Sequence, residues 1–232
     1  MHLGIIVAME EELEPILPVL TCQRVNKVFQ LYQCKRNNLQ ISIIVSNIGK
    51  AAAASATTYL IENYNPDLLL NIGTCGGVNN TNIASIILAN SAAYHDVDVR
   101  AFGYKLGQLP KQVEVFSSGN QNLDFQELST FLKNHYPLVN GLIITGDQFV
   151  ANKDKVNIIK NMYPNIVAID MEAAAIAQVC LLYKKNFAFL KKVSDLADAD
   201  ATDSFKNELI KMNQQIPQIV LGILNYLEKL GS

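Results

Sequence analysis

Apolar, strand-like segments alternate with helix-like segments along this chain, and this alternation constrains the fold more than any other feature. Strands are predicted at residues 3–8, 39–46, 68–72, 83–93, 138–145, 166–169 and 187–193. Helices are predicted at residues 50–63, 119–135, 152–162, 172–183 and 204–230, with a further acidic helix beginning at Glu10 and with Pro217 kinking or dividing the last helix. The alternation indicates an α/β fold in which a mixed or parallel central sheet is flanked by helices on both faces. Since no repeat, linker or change of composition interrupts it, we predict one domain over residues 1–232.

Two segments between these elements are predicted as loops. Residues 73–77, Gly-Thr-Cys-Gly-Gly, are expected to form a tight turn that brings backbone N–H groups close to a bound oxygen. Their spacing differs from the glycine spacing of dinucleotide-binding loops and P-loops. Residues 94–98 place His95 beside acidic residues, and since no second histidine is near, a solvated or interface loop is expected there rather than a metal site.

The composition excludes several functional classes. Half of the residues are hydrophobic, 17% are charged, and a net charge of −2 provides no general field for nucleic acid or an acidic membrane surface. The sequence contains no apolar run of about eighteen residues and no signal-like N-terminus. The four cysteines form no CxxC pair, so reduced thiols in a cytoplasmic protein are expected. The three histidines are too dispersed to predict a metal centre.

Three carboxylates each follow one of the predicted strands: Glu12, Glu172 and Asp195. The carboxyl ends of parallel strands share one edge of a sheet, and ligands bind in the crevice there. These acids would therefore converge on one pocket, which suits acid–base chemistry on a small molecule. Each acid alone has a simpler explanation, because an acid in the first turn of a helix stabilises that helix by roughly 0.3–1 kcal/mol. Asp195 is the hardest to explain in that way, since it comes directly after a buried strand and beside Ser194.

A series of motifs, in order along the chain, resembles those of the 5′-methylthioadenosine/S-adenosylhomocysteine nucleosidases. The motifs lie at residues 4–12, 47–50, 73–77, 94–110, 145–147, 171–173 and 194–198. The resemblance runs from Gly4 to Phe205, and the segment at 94–110 best separates this family from its phosphorylase relatives. It implies a three-layer α/β fold of the nucleoside phosphorylase type and a homodimer. It also implies hydrolysis of the bond between adenine and a 5′-thio-substituted ribose, without metal or cofactor.

The resemblance further implies a role for each matching residue. Asp195, oriented by Ser194, would protonate adenine N7. Glu172 would bind the ribose hydroxyls, and Glu12 would act on the attacking water. The other residues expected to line the substrate site are Met9, Ile48, Thr74, Phe149, Val150, Met171, Lys191 and Phe205. The partner subunit would contribute Val99, Phe102 and Pro110.

Three residues depart from the family pattern: Val7 replaces a frequent glycine, and Lys191 and Thr74 concern the expected water site. Lys191 stands where the family usually has arginine, so the charge is kept but the planar bidentate fork is lost. Thr74 stands where a serine is common. In the family, these positions help the first glutamate to hold the attacking water.

Two other functions are compatible with the same fold. A phosphorylase would release a ribose 1-phosphate, but it needs cationic groups for phosphate. This chain has only Arg24, Arg36 and Arg100, none of them in the first strand-to-helix loop, and Lys191 remains the one opening for that function. A non-catalytic nucleoside-binding protein is the second alternative, and the presence of all three carboxylates argues against it.

Overall fold

A computed structural model describes residues 1–26, 29–79, 81–119, 124–198, 200–210 and 215–230. Its strands are β1 (His2–Val7), β2 (Cys22–Asn26), β3 (Gln30–Arg36), β4 (Leu39–Val45), β5 (Leu68–Gly77), β6 (Ile86–Ala89), β7 (Ser91–Tyr94), β8 (Phe116–Ser117), β9 (Leu138–Val139), β10 (Leu142–Thr145), β11 (Ile166–Asp170) and β12 (Asn186–Asp195). Its α-helices are α1 (Glu10–Leu13), α2 (Lys50–Tyr64), α3 (Phe125–Lys133), α4 (Lys153–Met162), α5 (Ala173–Leu182), α6 (Ala201–Ile210) and α7 (Ile216–Leu230). Short 3-10 helices cover Leu17–Val19 and Arg100–Phe102.

The strands of the described residues form one mixed sheet. Its main order is β2-β3-β4-β1-β5-β11-β10-β7-β8, and β12 pairs with β5 and β6 outside that order. Strand β1 runs parallel to β4 and β5, and β12 runs parallel to β5, whereas the β2–β3 and β3–β4 pairs are antiparallel. The predicted α/β fold with a mixed central sheet is confirmed.

Helices cover both faces of this sheet. On one face, α2 and α5 pack through small side chains such as Ala53 and Ala177. On the other face, α3 and α7 contribute larger aliphatic side chains to a second core. Strand β1 supplies both cores, because Leu3 and Ile5 point to one face and Ile6 to the other. Within the described part of the chain, no helix has the length and apolar character needed to cross a membrane.

Residues 73–77 belong to strand β5, so the predicted turn at this position is wrong. Strand β12 pairs alongside β5 from Leu68 as far as Gly76 and keeps it extended. The glycines allow close approach of neighbouring elements instead of a reversal of the chain. A Cβ atom on Gly77, for example, would lie 2.6 Å from side-chain atoms of Thr81 and of Val193.

Several predicted elements are divided in the structure. The strand predicted at 83–93 is split into β6 and β7, and the strand at 138–145 into β9 and β10. The last predicted helix is divided into α6 and α7, with Pro217 as the second residue of α7, where its missing N–H leaves no hydrogen bond unmade. The parts of the predicted helices at 120–123 and 211–214 lie outside the described residues.

A β-hairpin formed by β2 and β3 was not predicted, and it contradicts the expectation that all four cysteines are reduced. Cys22 and Cys34 stand directly opposite each other in this hairpin and form a disulfide. Cys75 and Cys180 are free thiols, as expected, and both are buried. The sequence separation of 12 residues gives no pairing signal, because antiparallel register alone brings the two sulfur atoms together.

Candidate active site

One cavity of about 350 Å³ lies at the carboxyl ends of strands β1, β5, β11 and β12. The three predicted carboxylates all line it, as expected for acids that follow parallel strands. The other predicted site residues on its wall are Met9, Ile48, Thr74, Phe149, Val150, Met171, Ser194 and Phe205. Residues that were not predicted also line it, namely Ala8, Cys75, Gly76, Gln148, Ile169, Asp170 and Ala197.

Glu12 is fixed by hydrogen bonds to both of its carboxylate oxygens. Oε2 accepts from the backbone N–H groups of Ala8 and Met9, at 2.9 and 3.2 Å. Oε1 accepts from the backbone N–H of Thr74 at 2.8 Å and from its hydroxyl at 3.1 Å. Glu10 and Glu11 are exposed, whereas Glu12 is buried, so the simple helix-start explanation does not account for Glu12. Burial raises the pKa of this carboxyl, while the Lys191 charge and these donors lower it in part.

Gly73 has no side chain because the Glu12 carboxylate occupies the space beside it. A Cβ atom at this position would lie 2.7 Å from Glu12 Oε1. The glycine therefore allows the β5 backbone to approach the carboxylate, and this explains the close contact of Glu12 with Thr74.

Glu172 immediately precedes α5 without capping it through its side chain, and its Oε1 accepts a hydrogen bond of 3.0 Å from the backbone N–H of Gly49. Burial raises the pKa of this carboxyl to about 7, with Lys191 opposing the rise and Asp170 adding to it. Because Gly49 immediately precedes α2, this hydrogen bond ties the start of α2 to the start of α5. Glu172 is thus fixed on the cavity wall by its place at the start of α5 and by its hydrogen bond to the residue before α2.

Lys191 is absent from the cavity wall, and its expected contact with substrate or water stays a prediction. Its Nζ lies 3.0 Å from Asp170 Oδ2 and 4.0 Å from Glu172 Oε2, and its side chain is buried. Burial lowers the pKa of Lys191, but the carboxylates of Asp170, Glu172 and Glu12 outweigh it and hold the pKa above its ordinary value. Lys191 therefore carries a positive charge behind the acidic wall.

Asp170 lies on the cavity wall and was not predicted as a site residue. Its Oδ1 accepts a 2.6 Å hydrogen bond from the Thr145 hydroxyl, and its Oδ2 pairs with Lys191. The backbone N–H of Ala173 also donates to both carboxylate oxygens of Asp170, at 3.2 Å each. The signal was present in the Asp170-Met171-Glu172 motif, but strand alternation alone could not show that Asp170 turns toward a buried lysine.

Asp195 ends strand β12 and is buried beside Ser194. The Ser194 hydroxyl donates to Oδ2 at 2.8 Å, and the backbone N–H of Ala197 donates to Oδ1 at 2.9 Å. Burial raises the pKa of this carboxyl, although both donors act against the rise. This arrangement fixes the carboxyl at the cavity wall and favours its protonated form more than water would.

The remaining wall is apolar. Phe149 and Phe205 meet edge to face, with ring centroids 5.9 Å apart, and Val150 is buried next to Phe149. Met9 and Ile48 also line the cavity. Such a surface suits a planar base and an apolar substituent, since most ligand sites combine apolar walls with a few fixed polar groups.

The loop that carries Phe149 is held by a cluster of charged residues. Asp96 accepts hydrogen bonds from Lys50 Nζ and from the Asp147 backbone N–H, and Asp147 Oδ1 accepts from the Lys50 backbone N–H. Tyr94 and His95 are buried, so the expectation of a solvated loop is wrong for these two residues. His95 packs against Gly146, where a Cβ atom would lie 2.4 Å from the imidazole ring.

The residues expected from a partner subunit lie away from this cavity. Val99, Phe102 and Pro110 are absent from its wall, and Phe102 is 80% exposed. Among the described residues, no group of three or more His, Cys, Asp or Glu side chains is arranged to hold a metal ion.

The family model of the phosphorylase superfamily matches residues 2–225. The 5′-methylthioadenosine/S-adenosylhomocysteine nucleosidase of Glaesserella parasuis serovar 5 is 36% identical over 228 residues, which cover 97% of this chain and 99% of the relative. The enzyme of the same name from Haemophilus ducreyi is 36% identical over 97% of this chain and 98% of its own.

Comparison with solved structures agrees with these sequence matches. The S-adenosylhomocysteine nucleosidase of Streptococcus pyogenes, in complex with 5-methylthiotubericidin, superposes with a TM-score of 0.90 at 32% identity, over 98% of this chain and 97% of that one. The matches in sequence extend over nearly the full length of both chains. The chain therefore belongs to the family of 5′-methylthioadenosine/S-adenosylhomocysteine nucleosidases within the phosphorylase superfamily.

Proposed function

We propose that this protein hydrolyses the N-glycosidic bond of 5′-methylthioadenosine and S-adenosylhomocysteine, and of 5′-deoxyadenosine as well, to release adenine. The observation that carries the proposal is the convergence of Glu12, Glu172 and Asp195 on one cavity with an apolar wall. This activity belongs to methionine salvage and to recycling of the methyl cycle.

Each carboxylate has a task in the proposed reaction. Adenine leaves poorly as an anion, so Asp195 donates a proton to N7 as the bond stretches. Glu172 binds the ribose hydroxyls, and the carboxylates near the sugar stabilise its positive charge, as in glycoside hydrolysis generally. Glu12 removes a proton from the attacking water, which adds to the anomeric carbon.

The apolar wall divides between the base and the 5′ group. Phe149 stacks on adenine, and the Val150 backbone recognises the base edge. Met9, Ile48 and Phe205 surround the 5′-alkylthio group, and Met171 packs against the sugar. The buried position of Val150 and the half-exposed side chain of Phe149 agree with these tasks.

Hydrolysis is favoured over phosphorolysis by the charge of the cavity. Four buried acids are among its described lining residues: Glu12, Asp170, Glu172 and Asp195. No lysine or arginine is among them. From the sequence alone, Lys191 is the one cation considered for binding phosphate. In the structure, this lysine is paired with Asp170 behind the wall. A phosphate dianion would meet carboxylates without a cationic partner, which is unfavourable in a buried site.

The product identifies the reaction. Incubated with methylthioadenosine, the protein is expected to form adenine and free methylthioribose at the same rate with and without inorganic phosphate. Chromatography with mass detection of the sugar measures this. A sugar 1-phosphate that forms only when phosphate is added would contradict hydrolysis, and tight binding of the nucleoside without release of adenine would support a non-catalytic protein.

The proposal includes a homodimer in which the segment 99–110 closes the partner's cavity. Phe102 is exposed to 80% in the single chain, which is unusual for a phenylalanine and is typical of an interface residue. Substitution Phe102→Asp is expected to convert a dimer of twice 25.6 kDa to monomers and to raise the KM for methylthioadenosine. Sedimentation velocity measures the mass.

The control for this substitution is Ile158→Asp. Like Phe102, Ile158 is a well-exposed hydrophobic residue, but it lies on α4 outside the segment 99–110. A wild-type protein that sediments as a monomer would refute the dimer. The cytoplasmic location stays a prediction, because the Cys22–Cys34 disulfide removes the argument from reduced thiols.

A further inference from the structure

A second buried ion pair lies beside the candidate site and has no task in the proposed reaction. Lys192 Nζ is 3.0 Å from Glu208 Oε2 and 3.4 Å from the backbone oxygen of Glu208. Lys192 is 3% exposed and Glu208 is 7% exposed. Charged residues are almost never buried to this degree unless they are paired, so the position of each one depends on the other.

The pair connects strand β12 to helix α6. Successive side chains of a strand point to opposite faces, so Lys191 faces Asp170 while Lys192 faces α6. Phe205 precedes Glu208 by three residues, and residues at this spacing lie next to each other on a helix. The contact that anchors Glu208 thereby fixes the turn of α6 that carries Phe205 onto the cavity wall.

We propose that the Lys192–Glu208 ion pair is a positioning device that holds α6 against the cavity and so determines specificity for the 5′ substituent of the substrate. This inference rests on the function proposed above. Lys192 and Glu208 do not line the cavity, and they act through Phe205. Glu12, Glu172 and Asp195 lie outside α6, but Asp195 ends the strand that carries Lys192, so kcat is measured together with KM.

The pair should matter most for a small apolar 5′ group. A methylthio group gains from close packing against Phe205. The homocysteine group of S-adenosylhomocysteine carries an amino and a carboxyl group that need water, so looser packing of α6 penalises it less. We therefore expect loss of the pair to change the preference between the two substrates.

The test removes one charge at a time. In Lys192→Met, the KM for methylthioadenosine is expected to rise about tenfold, the scale of a lost apolar pocket contact, with little change in kcat. The ratio of kcat/KM for methylthioadenosine to that for S-adenosylhomocysteine is expected to fall. Lys192→Arg should keep both values near wild type, and Lys206→Met, which removes an exposed lysine from the same helix, should change neither.

The chain contains no tryptophan, so Phe205→Trp provides a single fluorescent reporter of α6. In this background, Lys192→Met is expected to shift the emission to longer wavelength and to increase quenching by acrylamide. Lys206→Met is the control. Circular dichroism shows whether each variant is folded, and Glu208→Gln carries the same tests if Lys192→Met does not fold.

The outcomes separate the two proposals. A folded Lys192→Met or Glu208→Gln protein with unchanged KM, unchanged substrate ratio and unchanged tryptophan emission would refute the ion-pair inference alone. A wild-type protein that hydrolyses neither substrate would refute the proposed function. In that case the emission and quenching measurements still decide whether the pair holds α6.

Discussion

Substitution Asp195→Asn is expected to lower kcat for methylthioadenosine by about 10²–10⁴-fold, the usual contribution of a positioned general acid. Asparagine fills the same space, its Oδ1 can accept from the Ala197 backbone N–H, and its Nδ2 can donate to the Ser194 hydroxyl, which then donates to the Cys75 backbone oxygen, so the fold should be preserved. It cannot transfer a proton to adenine N7. Steady-state kinetics of adenine release measure the loss.

The pH profile provides a second readout for Asp195. Burial raises the pKa of this carboxyl, so its protonated form persists to higher pH than that of an exposed aspartate. A proton donor works below its pKa, and wild-type kcat/KM should therefore fall as pH rises through that pKa. Asp195→Asn should lack this fall. The control is Asp203→Asn, which removes an exposed carboxylate outside the cavity, and near-wild-type turnover by Asp195→Asn would refute the assignment.

Substitution Glu12→Gln is expected to abolish hydrolysis and to retain binding of methylthioadenosine. Loss of the base should lower kcat by about 10²–10⁴-fold. Substrate affinity should remain, because Glu12 is proposed to act on water and not on the nucleoside. Isothermal titration calorimetry with the inactive variant measures the dissociation constant, and adenine release measures kcat.

The sign of the pH dependence is opposite for Glu12. Burial raises the pKa of this carboxyl, and a base works above its pKa, so wild-type activity should rise as pH increases through it. The matched control is Glu11→Gln, since Glu11 is the preceding residue and is exposed. Hydrolysis by Glu12→Gln at the wild-type rate would show that another group activates the water.

The carboxylates could be placed from the sequence because the rule that brings them together is simple. Glu12 follows β1 and Asp195 ends β12, and both strands run parallel to β5 and end at one edge. Glu172 follows β11, which is parallel to β10 and pairs antiparallel with the end of β5. The mixed sheet and its flanking helices follow from the same alternation. The extended conformation of the segment 73–77 could not be predicted. In the sequence, glycines that make room for the Glu12 carboxylate look the same as glycines that form a turn.

The features that sequence reasoning missed all depend on contacts between distant elements. The Cys22–Cys34 disulfide depends on the register of a hairpin whose polar strands carry little signal. The burial of His95 depends on Gly146, which is far away in sequence. The pairing of Lys191 with Asp170 depends on which face of β12 each lysine occupies, and two adjacent lysines give no indication of this.

The two lysines of β12 also restrict how this family member can evolve. Lys191 and Lys192 carry the same charge on opposite faces of one strand, paired with Asp170 and Glu208. A deletion or insertion of one residue that shifts the register of both lysines would move one lysine into the place of the other and leave one of the two acids without its cation. Insertions and deletions should therefore be tolerated in the loops around β12 and selected against within the strand. Point substitutions within the strand should still be accepted. Among related genomes, this strand should keep its length even where its sequence diverges.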